Sequence, residues 1–214
     1  ANCLVGSEMC IRDRYRFMVI CGMAGGYYSE PVNVKIETKY TRAISGGVGF
    51  SKTAANYAAA LYPAVKAQKD GFHQLIWTDG KEHKFIEESG TMNIFFVFND
   101  TLVTPPLGDT VLDGVTRDSI LVLAEKLKIK TEIRKISIDE ILSNIENGVI
   151  KEVFGAGTAA TIAPIKTIGH LTKNFNIPIP DSSSISSKLL KQLNGIKLGL
   201  IKDEFNWVLK IDNE

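Results

Sequence analysis

Four short motifs in a fixed order carry the side chains of this 214-residue chain best suited to chemistry. They are Gly49-Phe50-Ser51-Lys52, Glu88-Ser89-Gly90-Thr91-Met92-Asn93, Asp113-Gly114-Val115-Thr116-Arg117 and Gly155-Ala156-Gly157-Thr158. Together they offer an amine, a carboxylate and two turns able to present backbone N–H groups to one phosphate. A pyridoxal phosphate enzyme needs this set: a lysine for the Schiff base, an anion against the ring nitrogen and donors for the phosphate. Singly, each motif is weak, since a Gly-Ala-Gly-Thr is no better than a loop and an Asp-Gly-Val-Thr can be a plain helix start. Their co-occurrence carries the reading.

Lys52 follows a glycine-rich break at 46, 47 and 49 and precedes Thr53-Ala54-Ala55-Asn56-Tyr57. Small neighbours and a nearby cationic ring predict a poorly solvated amine, free for attack. Glu87 and Glu88 compete for the ring nitrogen. On a strand, neighbouring side chains point to opposite faces, so only one can reach it. The spacing to Gly90-Thr91-Met92-Asn93 selects Glu88 and leaves Glu87 solvated. Gly114 permits a tight turn, after which Val115 and Thr116 present N–H groups at a helix start whose dipole favours an anion. The second cradle adds the Thr158 hydroxyl. Tyr57 reads either as a core tyrosine with a satisfied hydroxyl or as a cofactor contact. His73, His83 and His170 sit in polar surroundings without metal-ligand spacing and read as surface residues.

The elements that must position these residues are legible in outline. Arg16–Gly22 reads as a strand, and the glycine-rich stretch to Pro31 as a connection. Val32, Val34 and Ile36 alternate with polar residues, which marks a half-buried strand. The alanine-rich segment 54–70 predicts a helix stopped at Gly71, kinked or split by Pro63. Two hairpins are expected, one joining 75–77 to 84–86 through Asp79-Gly80, the other joining 94–98 to 102–104 through Asn99-Asp100. Ile120, Leu123, Ala124 and Leu127 predict an amphipathic helix over 117–128. Strands are expected at 131–135, 152–154 and 207–211, with helices at 138–147 and 183–193.

Three stretches carry a family resemblance: Gly46–Lys52 with Asn56-Tyr57, Glu87–Phe96, and Glu152–Ala160. Through them the chain, from about Tyr15 onward, is similar to the branched-chain amino-acid aminotransferases among the fold-type IV pyridoxal phosphate enzymes. The resemblance implies an α/β (mixed α+β) fold, the large domain of that fold type, a mixed sheet or pseudo-barrel with flanking helices. It implies pyridoxal 5'-phosphate as cofactor and reversible transfer of the amino group of leucine, isoleucine or valine to 2-oxoglutarate by a homodimer. By the same resemblance Lys52 forms the Schiff base and shuttles the proton, Tyr57 bonds the phenolic oxygen, and Glu88 faces the ring nitrogen. Val115, Thr116 and Thr158 hold the phosphate. Thr91 and the Ala159 amide hold the substrate carboxylate, and Tyr27 with Tyr28 shapes the side-chain pocket. Such enzymes take their phosphate arginine from a further small domain, so Arg117 reads as structural. Relatives with a Cys-x-x-Cys after the Gly-x-Gly-Thr motif have here Ala160 and Ala163, which removes that redox switch. Enzymes of the same fold that act on D-amino acids or aminodeoxychorismate are the nearest rivals, though Glu88–Phe96 favours the branched-chain group.

Residues 1–14 read as a non-native leader, Val5–Asp13 resembling a translated adaptor, and are set aside from fold reasoning. The resemblance then divides the chain into the last strand of a small domain (15–24), an interdomain loop (25–32) and a large cofactor-binding domain (33–214). On that division the expectation is a fragment, inactive alone, of a longer transaminase; a non-catalytic truncated gene product is the competing account. Composition agrees with a globular body: 44% hydrophobic, 23% charged, net charge +1. Scattered Lys and Arg argue against a nucleic-acid partner. No apolar run reaches the roughly 18 residues of a membrane span. Only Cys21 lies beyond the leader, which points to a reducing compartment, the cytoplasm.

Overall fold

The computed structural model describes residues 17–20, 22, 28 and 30–211. Within them lie nine strands and four helices. In chain order they are β1 (Val32–Ile36), α1 (Ala54–Lys69), β2 (Gln74–Thr78), β3 (Ile86–Ser89), β4 (Met92–Phe98), β5 (Thr101–Thr104), α2 (Val115–Lys126), β6 (Lys130–Ile133), α3 (Ile138–Glu146), β7 (Ile150–Gly157), β8 (Thr161–His170), β9 (Lys173–Asn176) and α4 (Ile185–Lys197). β3 pairs with both β2 and β4, which closes β3-β2-β1-β8-β7-β4 into a six-stranded ring. β5 and β6 extend the sheet from β4, and β9 pairs with β8. β1 runs parallel to β2 and β8, and β5 to β6, so the sheet is mixed as expected.

β4 organises the interior. Six of its seven residues are buried, as in a strand covered on both faces. Ile94 and Phe96 join an apolar cluster with Val34, Ile76, Val153, Ile168 and the first turn of α3. Phe95 and Val97 enter a second cluster with Phe154 and the inner faces of α2 and α4. The Phe95 and Phe154 rings stack with centroids 5.2 Å apart, worth about 1 kcal/mol beyond the area buried.

Both predicted hairpins form, the first with its returning strand at 86–89 rather than 84–86. α2 begins two residues earlier than its apolar periodicity suggests, which puts Val115 and Thr116 in its first turn. Pro63 does not split α1, which runs unbroken through it. The ring removes one internal hydrogen bond, but it is buried along with Ala67, and Ala67 packs against Leu75 and Trp77 on β2. Gly71, at φ +86°, closes the helix by donating to the Gln68 carbonyl at 3.0 Å. The strand expected at 207–211 is absent from the described residues. There the Asp203 carboxylate accepts from the Phe205 and Val208 amides at 2.9 and 2.8 Å and curls the chain into a turn. Residues 17–20 lie outside regular structure, and the remainder of the strand and connection expected before Val32 falls mostly outside the described residues.

α4 is anchored from a distance. Its N-cap Ser184 makes no side-chain cap bond to the helix. Instead Glu152 of β7 accepts from the Ile185 and Ser186 amides at 2.7 and 2.9 Å, and from the Ser186 hydroxyl. A carboxylate satisfies the free N–H groups of a first turn and complements its dipole.

Candidate active site

The start of β4 and the end of β7 lie side by side, with Asn93 opposite Ala156. At that end of the ring the β3–β4 turn, the β7–β8 turn, the first turn of α2 and the loop before α1 converge on one cleft of about 190 Å³. Its wall carries Lys52, Glu88, Thr91, Val115, Thr116 and Thr158. Six of the residues singled out in the sequence are therefore brought together, the amine and the acid included.

Each is positioned by local chemistry. Lys52 stands just before Thr53, the N-cap of α1. Asn56, buried in the first turn, donates at 2.9 Å to both the Val48 and Ser51 carbonyls and ties the lysine loop to the helix. The amine itself is exposed on the cleft wall rather than shielded. Its small neighbours Ala54 and Ala55 are exposed too and bury nothing over it. Gly90, at φ +59°, makes the tight turn between β3 and β4, and Thr91 projects from its tip into the cleft.

Glu88 is 3% exposed. Its Oε1 accepts from the Leu112 amide and its Oε2 lies 3.2 Å from Arg42 Nη2. Burial pushes its carboxyl up to about 7, against the pull of Arg42, the Leu112 N–H and Lys52, and with the help of Glu87. Leu112 is held in turn by Asn93, whose Nδ2 donates to its carbonyl at 2.8 Å. Glu87 turns to the other face of β3, as alternation requires, but it is not solvated. It is half-buried against a second cavity under the 105–111 loop, where burial pushes its carboxyl up despite a hydrogen bond with Thr110. The loop that covers this face has no periodicity to announce it.

Two turns of backbone complete the cleft wall. No side chain caps the first turn of α2, whose N-cap is Gly114, so its leading N–H groups remain available. A Cβ at Gly114 would overlap Asn93 Oδ1, and one at Gly155 would lie 2.6 Å from Met92 Cε. Arg117, 4% exposed, donates to the Pro105 carbonyl at 3.1 Å and stays out of the cleft, consistent with a structural part.

Two nominated residues do not line the cleft. Tyr57 is 42% exposed on α1, and Ala159 sits exposed in the turn after Thr158. Tyr27 lies outside the described residues, and Tyr28 packs half-buried against the ring's core. Arg42 was not legible: an arginine between Thr41 and Ala43 has no pattern that announces a partner 46 residues away.

A model of the amino-transferase class IV family matches residues 38–168. Over 198 residues the chain is 41% identical to the "Probable branched-chain-amino-acid aminotransferase" of Staphylococcus aureus (strain N315), covering 91% of this chain and 55% of that protein. It is 40% identical over 201 residues to the "Branched-chain-amino-acid transaminase 1" of Bacillus subtilis (strain 168), covering 92% and 56%. The chain thus spans about half the length of the curated relatives it matches. Among solved structures it is similar to the branched-chain aminotransferase from Thermoproteus uzoniensis with norvaline, with a TM-score of 0.70 and 26% identity over 82% of this chain and 54% of that one.

Proposed function

The chain belongs to the class IV aminotransferases, and from that premise we propose that its parent enzyme uses pyridoxal 5'-phosphate to move the amino group of a branched-chain L-amino acid to 2-oxoglutarate. The observation that carries the reading is one cleft whose wall holds Lys52, Glu88, the uncapped first turn of α2 and the turn at Gly157-Thr158. The fit to the cofactor rests on the uncapped N–H groups of α2, an amine and a buried acid on one cleft wall. When bound, pyridoxal phosphate supplies a reactive aldehyde carbon and an electron-accepting ring. The chain's own residues do the rest. Val115, Thr116 and Thr158 hold the phosphate through N–H and hydroxyl donors. Glu88 keeps a proton on the ring nitrogen by standing opposite it as an anion. Lys52 Nζ, the only amine on the cleft wall among the described residues, anchors the cofactor and carries the proton removed from the substrate α-carbon. Thr91, on the wall of the cleft, orients the substrate carboxylate. A homodimer and a cytoplasmic location belong to the same proposal. Among the described residues no helix is long and apolar enough to cross a membrane.

The test is borohydride reduction of the chain mixed with pyridoxal phosphate, followed by peptide mass mapping. The expected result is one labelled peptide carrying Lys52, lost in Lys52→Ala. Label spread over many lysines defeats the reading. For the parent enzyme, leucine, D-alanine and aminodeoxychorismate are compared side by side, and preference for either of the last two defeats the branched-chain assignment.

A further inference from the structure

We propose that Arg42 is the positioning residue of this cleft: one guanidinium sets where the Glu88 carboxylate stands and ties it to the loops that carry Lys52 and lead to the anion cradle. Arg42 does not line the cleft, so it acts through others. A single nitrogen, Nη2, makes three contacts with three separate segments. It lies 3.2 Å from Glu88 Oε2 on β3. It donates to the Thr110 carbonyl at 2.5 Å and to the Gly49 carbonyl at 3.2 Å. Thr110 leads through Leu112 to the Gly114 turn of α2, and Gly49 opens the motif that ends in Lys52.

The packing is built around this node. A Cβ at Gly49 would come within 2.5 Å of the Asp109 carbonyl and of Ala43 Cβ, so only glycine lets the two loops lie backbone to backbone. The Gly46 amide adds a second tie, donating to Asp109 Oδ2 at 3.0 Å. The charged groups around Glu88 are Arg42 behind it, Lys52 and Asp113 on the cleft wall and Glu87 beside it on β3. Of these, Arg42 is the cation in direct contact. A buried acid next to one cation depends on it to stay ionised, and an ionised acid is what a protonated ring nitrogen requires.

The inference rests on reading Glu88 as the acid of the cofactor site, but its first measurement needs no cofactor. The chain is labelled with 13C at glutamate Cδ and titrated by NMR, with Glu88→Gln assigning the signal. Arg42→Met is expected to move the Glu88 midpoint upward by about one unit or more, to move its neighbour Glu87, which Arg42 also holds down, in the same direction, and to leave the more distant glutamates in place. Arg42→Lys should restore it, because an ammonium also offers one donor-rich cationic nitrogen. Should Arg42→Met not fold, Arg42→Gln, which keeps a donor without the charge, gives the same reading. An unmoved midpoint in a folded variant overturns the proposal and leaves Arg42 as packing. In parallel, the pH at which pyridoxal phosphate binding is half lost should follow the same shift. If the unaltered chain binds no cofactor while the NMR shift is present, the function assigned above fails and the role of Arg42 stands.

Discussion

Glu88 and Glu152 are both carboxylates on interior strands, 3% and 6% exposed, and they are held in opposite ways. Glu152 meets two helix amides and a hydroxyl, a full set of donors at the start of α4. Glu88 has one amide and one arginine, and beyond them an open cleft. Burial therefore does not distinguish an acid on a cleft wall from one that caps a helix. The distinction lies in how many donors face the carboxylate and whether a side of it is left for something else.

The strongest challenge to that contrast is Glu152→Ala. It strips three partners from the α4 start and leaves them buried, and should cost about 3–5 kcal/mol in urea unfolding. A loss below about 1 kcal/mol would erase the difference between the two acids.

Next comes the pH dependence of stability. The folded Glu88 carboxyl is raised to about 7 from an ordinary 4.5, so the folded state holds more protons than the unfolded one between those values. Its contribution is fully present below about 4.5 and is lost as pH rises toward 7, by up to about 3 kcal/mol. Glu88→Gln should flatten that slope in thermal melts from pH 5 to 8. An unchanged slope in Glu88→Gln removes the argument.

Gly114→Ala sharpens the comparison on the cleft side alone. Its Cβ meets Asn93 Oδ1, and displacing Asn93 loosens the 2.8 Å bond that steadies Leu112 under Glu88. A loss of about 2 kcal/mol is expected, together with weaker phosphate binding followed by fluorescence. Ser186→Ala is the mildest test. It removes one of three donors to Glu152 and should cost about 1 kcal/mol in the same unfolding assay.

Much of this contrast was legible in the residues themselves, because the chemistry sits in turns, and turns have strong local signatures. Lys52, Glu88, Val115, Thr116 and Thr158 could be nominated from glycine spacing and strand alternation, and they share one cleft. Both hairpins followed from apolar alternation and Asp-Gly or Asn-Asp turns, whereas the fold class followed from the family resemblance. What escaped depends on partners distant in the chain. Pro63 marks a break only if the helix stands alone, and burial against β2 overrides it. Trp207–Ile211 has strand composition, but Asp203 captures the Val208 amide and turns the chain. Glu87 looks solvated until the 105–111 loop folds over it. Arg42 and the Glu152 cap of α4 are contacts of 46 and 33 residues' separation, for which no short-range pattern exists.

The site's parts also become available at very different times. Lys52 leaves the ribosome more than sixty residues ahead of the α2 turn and still further ahead of Thr158. At about 5–20 residues per second, Lys52 is out for several seconds before the residues that share its cleft in the fold. The cleft wall is complete only later still, when β8 joins β7 to β1 and closes the ring.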